Sequence, residues 1–519
     1  MSSPSAPASS LLSGRSLYTV IGALMLTTFL SALDQTIVAT ALPTIAGELA
    51  GITGLAWVVT AYLLAATATT PLWGKISDLY GRKPVLITAV VIFLIGSMLS
   101  GAAQEMWQLV LTRAVQGLGG GGLMVLAMAV IADVIPPAER GRYQGLFGAV
   151  FGVASVLGPL VGGFFVETLS WRWIFYVNLP LGALVLFVLA TQLHLPHTRR
   201  EHSIDYAGAI LLVVGVVSIL LVTQWGGRQY DWTSPLILGL ATLAVVMLFA
   251  FVWWELRAPE PILPMSLFQN PIFRVGSAVG FVIGFAMFGA IVFLPVYLQI
   301  ARGVSPTLAG LQLLPLMLGL LVTSITSGRL ISRLGRYRIF PIMGTATAAL
   351  GMWLLSGLGA ESPYWQVALG MLVLGMGLGG VIQVLVLAVQ NSSDLSQMGV
   401  ATSSITFFRQ MGGSFGTAAF GAILATSLSS RLADYVPADV ANGLDPAALT
   451  GSPAVIASLP PDVRAGVTTA FVESLSQVFL FAVPVCLVAF GLSLFLKEIR
   501  LRTREDILAA PPKAGTPAT

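Results

Sequence analysis

Charge is what this 519-residue chain has least of: Asp, Glu, Lys and Arg together make up 9% of it, and hydrophobic residues make up 56%. Ordinary soluble domains carry about 25% charged residues, so 48 charged side chains would leave a soluble fold of this length with a bare apolar surface. Intrinsic disorder is excluded by the same numbers, because disordered chains are polar. Cysteine is equally scarce. The single Cys486 lies inside an apolar run, which excludes an intramolecular disulfide and a cysteine-based metal cluster. All three histidines, His194, His197 and His202, fall in one short segment beside Arg199 and Arg200, and the pattern reads as a solvated basic loop. The net charge is only +4 and its basic residues are dispersed, which argues against a nucleic-acid partner. What remains is an all-α polytopic membrane protein.

Crossing roughly 30 Å of hydrocarbon takes about 20 apolar residues in a helix. Fourteen such runs are present, at 17–41, 55–74, 85–103, 108–131, 143–166, 173–193, 207–225, 234–254, 275–299, 305–327, 339–358, 365–390, 400–428 and 468–496. The first is too long for a signal peptide and carries Asp34 ahead of the Ala39-Thr40-Ala41 triplet, so it is read as a retained helix. With the N-terminus inside, 19 of the 26 Lys and Arg residues fall on the inner side and five on the outer. The positive-inside rule then places both termini in the cytoplasm. Two loops echo each other: Gly74-Lys75-Ile76-Ser77-Asp78-Leu79-Tyr80-Gly81-Arg82-Lys83 after the second run, and Gly328 to Arg338 after the tenth. Both are short, basic and punctuated by glycine. The expected organisation is a tail over 1–16, a six-helix bundle over 17–193, two inserted helices within 194–274, a second six-helix bundle over 275–496 with an outer loop at 429–467, and a tail over 497–519. Repeats of this kind mark secondary transporters.

Five ordered segments carry a resemblance. Leu33-Asp34-Gln35-Thr36-Ile37-Val38 through Leu42-Pro43, the loop Gly74 to Lys83, Arg113-Ala114-Val115-Gln116-Gly117, Gly152 with Gly158-Pro159-Leu160-Val161-Gly162-Gly163, and Trp171 to Pro180 stand in this order. Together they resemble the 14-helix subgroup of drug–proton antiporters in the major facilitator superfamily. The resemblance implies a gate formed by Gly74, Asp78, Gly81, Arg82 and Lys83, and an antiporter helix motif at Gly152, Gly158, Pro159, Gly162 and Gly163. It implies the fold and a transport activity, and it leaves the substrate open.

The residues support some of those roles on their own. Asp34 is the carboxylate that lies well inside an apolar helix. A charge at membrane depth costs at least ~2.5–3.5 kcal/mol and usually faces a cavity and a function. Carboxylates moved out of water favour their protonated form, so such a group can take a proton on one side and release it when hydrated on the other. Arg113 keeps its proton and offers the countercharge. The alternative is a structural ion pair that locks the first and fourth helices. The glycine pairs Gly148/Gly152, Gly158/Gly162 and Gly375/Gly379 have small-xxx-small spacing and are expected at a helix interface, with Pro159 favouring a bend. Candidate cavity residues are Gln35, Trp57, Tyr62, Gln116, Gln312, Gln383, Phe407, Arg409 and Gln410; Arg409 reads equally as a snorkelling anchor or as cavity lining.

Several motif matches are decoys. Gly117-Leu118-Gly119-Gly120-Gly121-Gly122 fits a dinucleotide fingerprint but lies in a membrane run, not after a strand. Gly412-Gly413-Ser414-Phe415-Gly416 fits a nucleophile elbow but has no histidine base near it. There is no GxxxxGK[ST], hence no ATP site, and neither catalytic nor metal-ligating residues nor any cofactor are expected, an imposed proton gradient being the energy source. A membrane enzyme would need a clustered nucleophile and base, and a sensor an added soluble domain. The reading is a monomeric exporter of the bacterial cytoplasmic membrane that exchanges protons for a small amphipathic compound, cationic or neutral; export of lipids or lipid precursors is the alternative.

Overall fold

The computed structural model describes residues 15–49, 55–193, 204–227, 229–437, 456 and 459–501. His194, His197, His202 and most of the outer loop lie outside them. Within hydrocarbon every backbone N–H and C=O must find its partner inside the segment, so apolar runs of this length become helices. The elements in order are α1 (Arg15–Glu48), α2 (Leu55–Tyr80), α3 (Arg82–Ala102), α4 (Met106–Val134), α5 (Pro137–Thr168), α6 (Trp173–Tyr176), α7 (Asn178–Gln192), α8 (Tyr206–Trp225) and α9 (Pro235–Glu255). They are followed by α10 (Pro271–Arg302), α11 (Pro306–Gln312), α12 (Leu314–Leu334), α13 (Ile339–Ser356), α14 (Tyr364–Ser392), α15 (Met398–Tyr435) and α16 (Pro461–Ser493). Among the described residues 13 spans are long and apolar enough to cross a membrane, and α2, rich in threonine and ending in Lys75 and Asp78, is 26 residues long beside them.

Sequence chemistry sets the ends. Ser234, Asn270 and Ser305 cap α9, α10 and α11 through their side-chain oxygens, each followed by proline at the first helical position. Gly303 (φ 63°) and Gly335 (φ 67°) close α10 and α12 in the left-handed region. Two of the expected runs are broken. Pro180 removes the N–H that would bond Tyr176 and crowds that carbonyl, and the chain turns between α6 and α7 at Val177. Pro315 does the same to Leu311, separating α11 from α12. Pro159, expected to bend its helix, stands inside a continuous α5.

One group of helices is built on α1, which packs against α4, α5 and α7, with α2 and α3 against α4. A second is built from α10 against α15 and α16, α13 against α14 and α16, and α12 against α14. The two meet along α5–α12 and α2–α15, and the α8–α9 hairpin lies against α2 and α15. Glycine permits the crossings. A Cβ on Gly328 would collide with the Gly141 carbonyl, one on Gly145 with the Ser324 carbonyl, and one on Gly74 with Gly399 and Ser403. The glycine pairs expected at an interface divide. Gly148 does face α12 across the two groups, but Gly158 and Gly162 admit Thr36 and Thr40 of α1, while Gly375 and Gly379 admit the backbone of α12 within the second group. Spacing identifies a close approach; it does not say which neighbour approaches.

Candidate functional site

The α6–α7 break, α4 and α1 converge on Asp34. Its Oδ2 accepts from Arg113 Nη1 at 2.7 Å, and its Oδ1 from Gln116 Nε2 at 2.8 Å and Asn178 Nδ2 at 3.3 Å. Arg113 also donates to Gln116 Oε1 at 2.7 Å and to the Val58 carbonyl at 3.1 Å, and its guanidinium lies 4.3 Å from the centre of the Tyr62 ring. Asp34, Gln116 and Asn178 have no exposed surface and Arg113 has 1%. Both charges in this cage are paired and hydrogen-bonded, which is the condition under which an ion pair persists at depth; Asn178 Oδ1 is left without a partner. Gln116 was expected in the cavity and instead completes the cage. Asn178 and its partner Ser97, 3.0 Å away, were not singled out from sequence. The available signal was a lone amide next to Pro180. Replacing Asn178 by Ala is expected to lower stability by about 1–3 kcal/mol, because a buried carboxylate oxygen and the Ser97 hydroxyl each lose a donor; thermal unfolding in detergent measures it.

Beside the cage lie two connected chambers between the helix groups, with volumes of about 220 and 90 Å³, which share Gln35, Met124, Phe288 and Gln410. Tyr62 lines the larger, and Gln383 and Arg409 line the smaller. Asp34 lines neither; Tyr62, whose ring lies against Arg113, lines the larger one. The remaining cavity candidates lie elsewhere. Trp57 packs edge-on against Trp225 at 5.4 Å, on a groove of the outer surface. Phe407 is buried against Phe408, and Gln312 ends α11, where its carbonyl accepts from Tyr364.

A second polar cluster closes one end of the groups' interface. Asp78 accepts from the backbone N–H of Gly399 at 2.9 Å and of Val400 at 2.8 Å, the first turn of α15, and pairs with Arg82 at 2.5 Å. Arg82 also pairs with Asp133 at 2.9 Å and donates to Ser77 at 2.6 Å. Gly81, with φ 93°, makes the turn that brings Arg82 back over Asp78. Lys83 reaches the Ala190 carbonyl at 2.8 Å. Sequence reasoning missed Asp133, which sits at the end of α4 with nothing nearby in the chain to mark it. A separate bridge joins the groups at Gln144, which donates to Gln390 at 2.8 Å.

The decoys are packing. Gly117, Gly119, Gly120 and Gly121 let α4 lie directly on α2 and α3, and Gly412, Gly413 and Gly416 do so for α15 on α10. Ser414 donates to its own helix at Gln410. No group of three metal-ligating side chains occurs among the described residues.

A helical membrane fold of two packed groups with a cavity between them defines a transporter. The chain belongs to the Major Facilitator Superfamily, whose family model matches residues 24–417. It is 44% identical to the uncharacterized MFS-type transporter Rv1877 of Mycobacterium tuberculosis, over 94% of this chain and 70% of that protein. It is 37% identical to the multidrug transporter protein MdtP of Bacillus subtilis, over 94% of each. Among solved structures it resembles the proton:xylose symporter XylE of E. coli, with a TM-score of 0.60 at 15% identity over 95% of this chain and 98% of that one, which speaks to the fold.

Proposed function

We propose that the protein is a proton-coupled exporter of lipophilic, drug-like compounds, a monomer of fourteen membrane helices with both termini in the cytoplasm of a bacterium, working by alternating access. The observation that carries this reading is the Asp34 cage, an enclosed carboxylate–guanidinium pair beside the central chambers, with Tyr62 lying against Arg113 and lining the larger chamber. In this conformation Asp34 is paired with Arg113. Rearrangement of Tyr62 or α7 would open the pair to the chambers, letting Asp34 take a proton as Arg113 turns to Gln116 and the Tyr62 ring. Asp78, Arg82 and the glycines around them would act as the gate at the cytoplasmic end. Relatives named as efflux pumps, among them FUS6 of Gibberella fujikuroi at 33% identity, support the direction of transport.

The test is uptake of fluorescent lipophilic compounds, one cationic, one neutral and one acidic, into proteoliposomes under an imposed pH gradient. Coupling to one proton supports about tenfold accumulation per pH unit, abolished by a protonophore. Accumulation of none of the three, or accumulation indifferent to the protonophore, removes the reading.

Export of lipids on the same fold has a specific observation in its favour. Two apolar grooves face outward, of about 1020 Å³ among α2, α4 and α8 and about 920 Å³ among α5, α12 and α14. Met317 and the α5 glycines separate the second from the chamber that holds Arg409. Transfer of a labelled phospholipid between leaflets, in the same vesicles, would favour that reading.

A further inference from the structure

The charges within the membrane-spanning helices do not balance where the substrate would sit. Asp34 and Arg113 neutralise each other inside their cage, and Asp78, Arg82 and Asp133 form a set at one end. Arg409 has no such partner. It projects from α15 into the smaller chamber, is only partly covered, and makes neither an ion pair nor a hydrogen bond through its guanidinium among the described residues. The helix begins at Met398, so Arg409 lies three turns in, about 17 Å from that end at 1.5 Å per residue. Its place in the lining of the chamber favours cavity lining over the anchor, the two readings the sequence left open.

The walls around it are chosen for something other than a cation. No carboxylate lines either chamber among the described residues; the polar groups are the amides of Gln35, Gln224, Gln383 and Gln410 with hydroxyls such as Ser324. Gln383 is 5% exposed and lines the same chamber, and its amide nitrogen is a donor available to an anionic oxygen, its carbonyl, which has no partner, being an acceptor. Free guanidinium and free amide thus line one small space, with Phe151, Met287, Phe288 and Leu320 supplying the apolar remainder. A guanidinium offers a planar fork of donors that matches a carboxylate, sulfonate or phosphate oxygen pair, and an amide adds a donor beside it. An unpaired arginine at membrane depth is costly to keep, and such groups mark substrate paths.

We propose that Arg409, with Gln383, binds the acidic group of an amphipathic substrate, whose apolar body fills the adjoining chamber against Phe288 and Met124. The inference rests on the exporter reading and narrows it. The expectation of cationic or neutral compounds gives way to acidic ones, because the only formal charge lining the two chambers among the described residues is positive.

The experiment is equilibrium binding by calorimetry to the purified full-length protein, with three probes that share one body: pyrenebutyrate, pyrenebutanol and pyrenebutyl-trimethylammonium. Wild type should bind the acid at least about tenfold more tightly than the alcohol, the expected scale for a charge-assisted hydrogen bond, and the cation most weakly. Arg409→Gln should erase the preference for the acid and leave the alcohol unchanged; Arg409→Lys should keep part of it. The comparison within wild type needs no variant to fold. Equal binding of acid and alcohol, tighter binding of the cation, or an Arg409→Gln change that weakens all three alike overturns the proposal. No gradient is imposed, so failure here leaves proton coupling standing, and failure of coupling in vesicles leaves this result standing.

Discussion

Neutralising Asp34 and Arg113 together should leave a folded protein that has lost gradient-driven transport, whereas neutralising Asp34 alone should lose both. The single change Asp34→Asn strands the Arg113 guanidinium in a site with 1% exposure. Removing one partner of a buried pair costs about 3–5 kcal/mol, because the remaining charge keeps its desolvation penalty and loses its compensation. Gln116 and the Val58 carbonyl still accept from Arg113, which offsets part of that loss. Asp34→Asn with Arg113→Gln removes both charges, and replacing a buried pair as a unit is often close to neutral for stability. A structural lock and a proton carrier therefore predict different outcomes for the double variant. If the pair only joins α1 to α4, the double variant restores stability and transport together. If Asp34 carries the proton, stability returns and pH-driven accumulation does not. Thermal midpoints in detergent alongside vesicle uptake give both readings, and a double variant that accumulates substrate like wild type would assign the pair to architecture.

Much of this architecture was legible in the chain. The apolar runs became helices, and the ordered motifs from Leu33-Asp34 to Asn178-Leu179-Pro180 placed the chain in its superfamily. Asp34 and Arg113, 79 positions apart, are in contact. What the sequence withheld has common physical causes. A hydropathy run ends where polar residues begin, so α15, expected over 400–428, was underestimated mainly at its C-terminal end, where Ser429, Ser430, Arg431 and Asp434 carry the helix on to Tyr435. Rotation about the helix axis decides whether a polar side chain meets the cavity or another helix. It sent Gln383 to the chamber and Gln116 to the cage, and no spacing rule distinguished them. Asn178 depended on a chain break whose signal, Pro180, also occurs as Pro71, Pro159, Pro295 and Pro484 inside unbroken helices. The glycines named the tight crossings correctly as crossings; their partners were a matter of three dimensions.

The second large effect is expected at Asp78. Its two oxygens take the first N–H groups of α15, so one carboxylate joins the helix groups by two charge-assisted bonds at a helix N-terminus. Each bond to a charged group contributes about 1.5–3 kcal/mol, and the helix end adds about 0.3–1 kcal/mol. The matching crossing of α5 on α12 has no such device. In the echoed loop Ser332 occupies the place of Asp78, and the crossing closes by the direct contact of Gly141 with Gly328. Polar closure between the groups here rests on this carboxylate together with the buried Gln144–Gln390 bridge. Asp78→Asn keeps the size but surrenders the charge and one acceptor, and should shift the balance between closed and open forms by about tenfold or more, since 1.4 kcal/mol is a factor of ten. Asp133→Asn provides the contrast. It removes one partner of Arg82 and leaves the bonds from α15 to Asp78 in place, so the closed form should persist. Spin labels at Tyr80→Cys and Arg336→Cys, in a Cys486→Ser background, report the separation of the two groups at this face. A longer distance population in Asp78→Asn, absent in Asp133→Asn, is the expected result. Identical distributions in wild type and Asp78→Asn would mean that glycine packing and the Gln144–Gln390 bridge hold the face shut, and that the carboxylate serves the local α2–α3 turn with Arg82.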